Sequence, residues 1–173
     1  MGLDKALLPF RGDPLVKTVA RAVRLAAGSA VLVGPARISE AAGLPGIPDL
    51  YPGEGPLGGI LAALAHTAAD FNLVTACDMP ELNAAFLLTL LDAAERTGAD
   101  ALVPAGPSGR LEPLCAVYHR RAAPALNTVF TSGLRKITVA IQAAGLRLVS
   151  LAVSEVSHFQ NVNTPEEWAP YGR

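Results

Sequence analysis

The chain has 173 residues, of which 51% are hydrophobic and 5% aromatic, and its 14 basic and 15 acidic residues leave a formal charge of −1. That length suits a single domain over residues 1–173 with a core of Leu, Val and Ala, and the balanced charge argues against bulk attraction to nucleic acid or an anionic membrane while leaving room for a local basic pocket. No apolar leader follows the first charges and no run reaches the roughly 18 apolar residues of a membrane span, so a soluble, cytoplasmic protein is expected.

The opening "MGLDKALLPFRGDPL" sets Lys5 in a short Gly- and Pro-rich stretch shaped like the lip of an anion site, with no strand or glycine loop ahead of it. Lys5 is either a point charge for a phosphate or a solvated terminal lysine. From Pro14 the pattern turns helical. Leu15, Val16, Val19, Ala20 and Val23 share one face, and Gly28 is placed to end the helix. "AVLVG" then reads as a strand buried on both faces, and "GPLGGILAALAHTAA" resumes helix after a Pro/Gly-rich passage. "FNLVTACD" is a second buried strand, and "ELNAAFLLTLLDAAERTG" a long helix closed by glycine. "ADALVPA" and "EPLCAVY" are two more strands around a polar "GPSGR" turn. Helix through Ala144, the strand "LRLVSLAV" and a final "NTPEEW" with a capping box of Thr164 and Glu167 complete the chain.

Strands alternating with amphipathic helices predict an α/β/α sandwich with a mostly parallel sheet, and ligands gather at the carboxyl ends of such strands. Asp78 stands there, directly after an apolar strand. It is either a hard oxygen ligand for a Mg²⁺–triphosphate or a cap for the helix begun by Glu81 and Leu82. In "YPGEGPLGGI", Gly53, Gly55, Gly58 and Gly59 permit close backbone approach to a flat ligand, or mark an ordinary turn. Asn161 and Asn163 alternate in "FQNVNTPEE", so both side chains leave one face, toward a polar ligand or into turn chemistry. Cys77 and Cys115 lie in apolar runs without metal spacing and read as buried thiols. His66, His119 and His158 show neither metal nor triad spacing and read as structural or surface residues.

Taken in order, "DKALLPFRGDPL", "YPGEGPLGGI", "CDMP" and "FQNVNTPEE" closely resemble the molybdenum cofactor guanylyltransferases, Mg²⁺-dependent nucleotidyltransferases with a Rossmann-like fold. The resemblance implies transfer of GMP from GTP to molybdopterin. It implies that Lys5 holds the nucleotide's phosphates, that Asp78 binds Mg²⁺, and that Asp49 is a second acid contacting nucleotide. Gly34 occupies a position where the family can carry an asparagine, so only a backbone contact to nucleotide is expected there. Gly58 lies in the nucleotide-binding glycine stretch, and the "NVNTPEE" stretch matches a segment near the active site, with Asn161 and Asn163 as expected substrate-binding residues. Molybdoenzymes or their chaperones are the expected protein partners. Members of the family begin with a strand and an L-A-G-G-x-S-x-R-M-G loop; this sequence starts at "MG", and a truncated N-terminus is the expectation. Two alternatives stay open: a cytidylyltransferase acting on the same pterin, and a non-catalytic domain that binds molybdopterin or a molybdoenzyme.

Overall fold

The computed structural model describes the backbone of residues 5–159 and 161–162, and the side chains of all of these but 5 and 156. A short 3-10 turn, Lys5–Leu7, leads into a hairpin of β1 (Pro9–Phe10) and β2 (Asp13–Pro14). Arg11 (φ +50°) and Gly12 (φ +88°) make its tip, and two positive φ values in succession suit the twist of a tight hairpin. Phe10 anchors the hairpin in the core. The Asp13 carboxylate accepts from Arg21 at 2.5 Å and pairs with Lys17 at 3.2 Å; those two cations, Arg21 first, hold its pKa below the usual carboxylate value.

Helix α1 (Leu15–Ala27) buries Leu15, Val16, Val19 and Ala22. Gly28 ends it in the left-handed conformation (φ +79°), donating its N–H to the Arg24 carbonyl. The next passage is more structured than its Pro/Gly content predicts. β3 (Leu32–Val33) is followed by α2 (Ala36–Ala42) and β4 (Gly46–Ile47), and β4 pairs parallel to β3. Then come α3 (Pro56–His66), β5 (Phe71–Thr75), α4 (Ala84–Thr97), β6 (Ala101–Ala105), β7 (Cys115–His119), α5 (Ala123–Thr131), α6 (Ile137–Ala143) and β8 (Leu148–Ala152). A 3-10 turn over Val156–Phe159 follows.

The four-stranded sheet runs β5-β7-β6-β8. β6 and β8 are parallel, while β7 lies antiparallel to both β5 and β6, so the sheet is mixed rather than mostly parallel. The cause lies in the connection between β6 and β7. Nine residues, 106–114, are too few for the helical crossover that parallel strands need. Side chains alternate across the sheet into two cores. Leu102, Cys115 and Val117 face α1 and α4, whereas Ala101, Val103, Ala116 and Tyr118 face α3, α5 and α6. This is the expected α/β/α sandwich. Tyr118 is fully buried and its hydroxyl donates to the Pro113 carbonyl at 2.8 Å, which fastens the β6–β7 loop; burial raises its pKa. Burial, together with the nearby Glu112 carboxylate, pushes the Cys115 thiol up to about 12, so it is inert at neutral pH. Among the described residues, no helix is long and apolar enough to cross a membrane.

Candidate active site

Two strands end side by side. Leu32 and Val33 at the close of β3, and Ala76, Cys77 and Asp78 just past β5, line one cavity of about 360 Å³ together with Pro35, Ile38 and Ala6. The cavity therefore sits at the carboxyl ends of two strands, where an α/β sheet collects ligands. Three of the positions singled out in sequence converge on it: Asp78 lines it directly, Gly34 lies between two lining residues, and Lys5 immediately precedes Ala6. The side chain of Lys5 lies outside the described atoms.

Asp78 is held by its neighbours on both sides. Met79 is buried to 1% exposure and plugs the core beneath it. Leu82 donates its N–H to the Met79 carbonyl, and Asn83 then caps α4, its side chain accepting from the Phe86 N–H at 2.9 Å. Helix α4 thus starts at Ala84, not at Glu81, and its cap is Asn83 rather than Asp78. The capping alternative for Asp78 is removed, because the cap lies five residues further on. Asn83→Ala is expected to cost about 1 kcal/mol of stability, the usual size of a lost N-cap. Thermal melting against turnover per folded molecule checks it, since Asn83 should affect only the first.

The segment of residues 161–162 returns to this loop. The Val162 N–H donates to the main-chain carbonyl of Asp78 at 3.1 Å, which brings the backbone of residues 161–162 against that of the aspartate. The Asn161 Oδ1 atom is buried without a hydrogen-bond partner among the described residues. Orphaned buried acceptors are rare in folded proteins and call for a ligand, water or ion. His158 fixes the approach of this segment: its ring stacks on Phe86 at 4.5 Å and its Nδ1 lies 3.3 Å from the Glu81 carbonyl. That agrees with its reading as a structural histidine. Asn163 lies outside the described residues.

The other expected site residues stand further back. The Gly34 N–H donates to the Ile47 carbonyl at 3.1 Å, so the part of its backbone left for a ligand is the carbonyl oxygen. Asp49 follows β4 and its Oδ1 accepts from the Tyr51 N–H at 2.9 Å, a local turn. Gly58 is explained by close packing: a Cβ there would lie 2.9 Å from the Tyr51 Cβ. Tyr51 in turn packs on the Phe130 ring at 4.6 Å and bonds Asn127 through its hydroxyl.

Sequence reasoning missed two features. Cys77 is half-buried and lines the cavity, rather than lying in the core; its place directly before Asp78 was the available signal. Arg11, at the hairpin tip, reaches Glu81 at 3.5 Å while its own side chain stays 68% exposed, which adds a cation to the rim of the site loop. The "RG" of "PFRGDP" marked that turn.

The comparisons with known proteins agree with this geometry. Residues 1–145 match the family model described as the MobA-like NTP transferase domain. A probable molybdenum cofactor guanylyltransferase of Deinococcus radiodurans is 34% identical over 97% of this chain and 85% of its own length. The molybdenum cofactor guanylyltransferase of Serratia proteamaculans is 32% identical over 96% and 84%. The crystal structure of molybdopterin-guanine dinucleotide biosynthesis protein A from Archaeoglobus fulgidus superposes with a TM-score of 0.82 at 30% identity, covering 98% of this chain and 89% of that one. A strand-end cavity, an aspartate fixed on its rim and whole-chain similarity to these proteins lead to one conclusion: the chain belongs to the MobA-like NTP transferase family.

Proposed function

We propose that the protein transfers GMP from GTP to molybdopterin, giving the guanine dinucleotide form of the molybdenum cofactor and releasing pyrophosphate. The observation that carries this reading is the convergence of Asp78 and Ala6, the neighbour of Lys5, on one strand-end cavity, in a chain whose relatives bear the guanylyltransferase name.

In this reading, an oxygen of the pterin's terminal phosphate forms a bond to the α-phosphorus of GTP. The bond from that phosphorus to the bridging oxygen breaks, and the electron pair leaves with pyrophosphate. Little covalent work falls to the protein, which orients two phosphates and offsets their charge. Lys5 supplies a cation for the triphosphate. Gly34 and Asp49 contact the nucleotide, and Gly58 lets α3 approach closely enough to support that contact. Asn161 and Asn163 orient the pterin substrate or its hydration shell.

The residues fit a Mg²⁺ ion. The Asp78 carboxylate at the cavity and the orphaned Asn161 Oδ1 are both hard oxygen donors, on two segments joined by the bond from the Val162 N–H to the Asp78 carbonyl. Mg²⁺ characteristically takes one or two protein oxygens and completes its shell with phosphates and water. Asp78 and Asn161 would hold it, and it would neutralise charge developing on the phosphates. GTP as a substrate and two free thiols suit a reducing cytoplasm.

The test is incubation of the native protein with molybdopterin, Mg²⁺ and either GTP or CTP, with pyrophosphate release as the readout. Release that needs both the pterin and GTP is the expected result. Release with CTP alone of the two nucleotides would make the protein a cytidylyltransferase. Tight pterin binding with no release from either nucleotide would make it a binding domain.

A further inference from the structure

The loop that joins β4 to α3, residues 48–55, carries Asp49 and leads into the first turn of α3, yet it has little regular structure of its own. Local bonds shape it. The Asp49 Oδ1 accepts from the Tyr51 N–H, the Glu54 N–H donates to the Tyr51 carbonyl at 3.1 Å, and the Gly58 N–H donates to the Gly55 carbonyl at 3.1 Å. Gly53 (φ +80°) and Gly55 (φ +84°) stand in conformations that glycine enters and leaves at little cost. These bonds fold the loop on itself but do not fix its place on the protein.

Two of its side chains do that, and both end at α5. The Tyr51 ring packs on the Phe130 ring, and its hydroxyl donates to the Asn127 Oδ1 at 3.2 Å. Glu54 accepts from the Arg135 Nε at 2.6 Å. Arg135 lies just past α5, and its guanidinium is already ordered there. Nη1 donates to the carbonyls of Phe130 (2.6 Å) and Leu134 (3.2 Å), and the guanidinium carbon stands 4.0 Å from the centre of the Phe130 ring. The buried Phe130 therefore carries both anchors: the tyrosine from the start of the turn and the arginine that grips its end. An ion pair as exposed as this one (Glu54 49%, Arg135 39%) adds little to global stability. Its effect is local, because the carboxylate meets a partner whose geometry is set beforehand.

We infer that Arg135 is a positioning residue for the nucleotide. Through Glu54, and together with the Tyr51–Phe130 stack, it holds residues 49–55 and the first turn of α3 in the arrangement that receives the ligand. That turn adjoins the strand ends: Pro56, Gly59 and Ile60 line one space with Val33, Thr75, Ala76 and Cys77. The inference rests on the proposed nucleotide contacts of Asp49 and the glycine stretch. Arg135 touches neither nucleotide nor acceptor; it sets the fraction of molecules whose loop is in place. Opening the clamp lowers that fraction, so apparent affinity falls with it while turnover of the bound complex is unchanged.

Arg135 also closes the C-terminal end of α5, a purely structural task, and Glu54 separates the two roles. Glu54→Ala opens the clamp and leaves the bonds from Arg135 to Phe130 and Leu134 intact. The experiment measures this variant in the full chain by titration with GTP and with CTP, by steady-state kinetics, and by amide hydrogen exchange at Gly53, Glu54 and Gly55. Kd and KM for the nucleotide are expected to rise about fivefold, the upper end of what an exposed pair contributes, with kcat within about twofold. Exchange at the three amides should quicken by a similar factor and the melting temperature should hold. Asp70→Ala, which breaks a comparably exposed pair with Arg120 at the amino end of β5, is the control and should change none of these. Arg135→Ala should raise KM as well, and adding Glu54→Ala should raise it no further, while melting falls only in the arginine variants. Faster loop exchange with unchanged Kd, a higher Kd with unchanged loop exchange, or independent effects of the two substitutions on KM would overturn the positioning role. An unsubstituted protein that binds neither GTP nor CTP would overturn the nucleotide reading itself, and the inference with it.

Discussion

Asp78→Ala in the native protein is expected to lower nucleotide transfer by about 10²–10³-fold, the scale on which a preorganised electrostatic group at a reaction centre acts. It should cost about 1 kcal/mol of stability, the scale of one polar contact, because α4 keeps its Asn83 cap when the carboxylate is removed. Structural roles fall to its neighbours: Asn83 caps α4 and Met79 fills the core. The bond from Val162 uses the main-chain carbonyl of Asp78 and survives the substitution. Turnover and melting are to be measured together, with Mg²⁺ varied. A collapsed melting temperature with normal turnover per folded molecule would make Asp78 a structural residue. An Asp78→Asn variant, which keeps the shape and removes the charge, should lose turnover nearly as far while melting normally.

Met79→Ala is expected to act the other way, through stability. A fully buried methionine cut back to alanine costs about 2–5 kcal/mol, part transfer and part cavity. For a domain of this size that is a fall of roughly 5–15 °C in melting temperature. Met79→Leu, which keeps the volume, should cost less than about 1.5 kcal/mol. Since Met79 adjoins Asp78, the alanine variant should also raise the KM for nucleotide at temperatures where it remains folded. Urea denaturation gives the first effect and steady-state kinetics the second; a variant as stable as the parent would show that the loop above Met79 is not anchored through it.

The regular elements were legible in the sequence where one signal decides them. The apolar stripe from Leu15 to Val23 and the stop at Gly28 gave α1, and the glycine at position 98 ended α4 as expected. Asp78 was legible because an apolar strand running into Asp-Met-Pro leaves few places for the carboxylate to go. The start of α4 was not, because Glu81 and Leu82 continue the apolar-polar rhythm and only the Asn83 side chain breaks the tie. Helix α2 was hidden in a passage dense in Pro and Gly, where Pro35 and Gly43 turned out to be its two boundaries. The antiparallel course of β7 followed from the shortness of its connection, a length argument that strand composition does not carry. The bond between Val162 and Asp78 is tertiary, and no local pattern encodes it; only the resemblance of "FQNVNTPEE" to a family segment pointed toward the site.

The bond from Val162 to Asp78 spans 84 residues of chain. Contacts of such sequence separation are slow to close, because the loop entropy must be spent before any reward returns. The contact therefore closes only after β8 and Phe159, which complete one of the cores, have emerged. At about 5–20 residues per second, several seconds separate the emergence of Asp78 from that of Val162. Throughout that interval the nascent chain carries Asp78 without the segment whose N–H bonds its main-chain carbonyl in the finished fold.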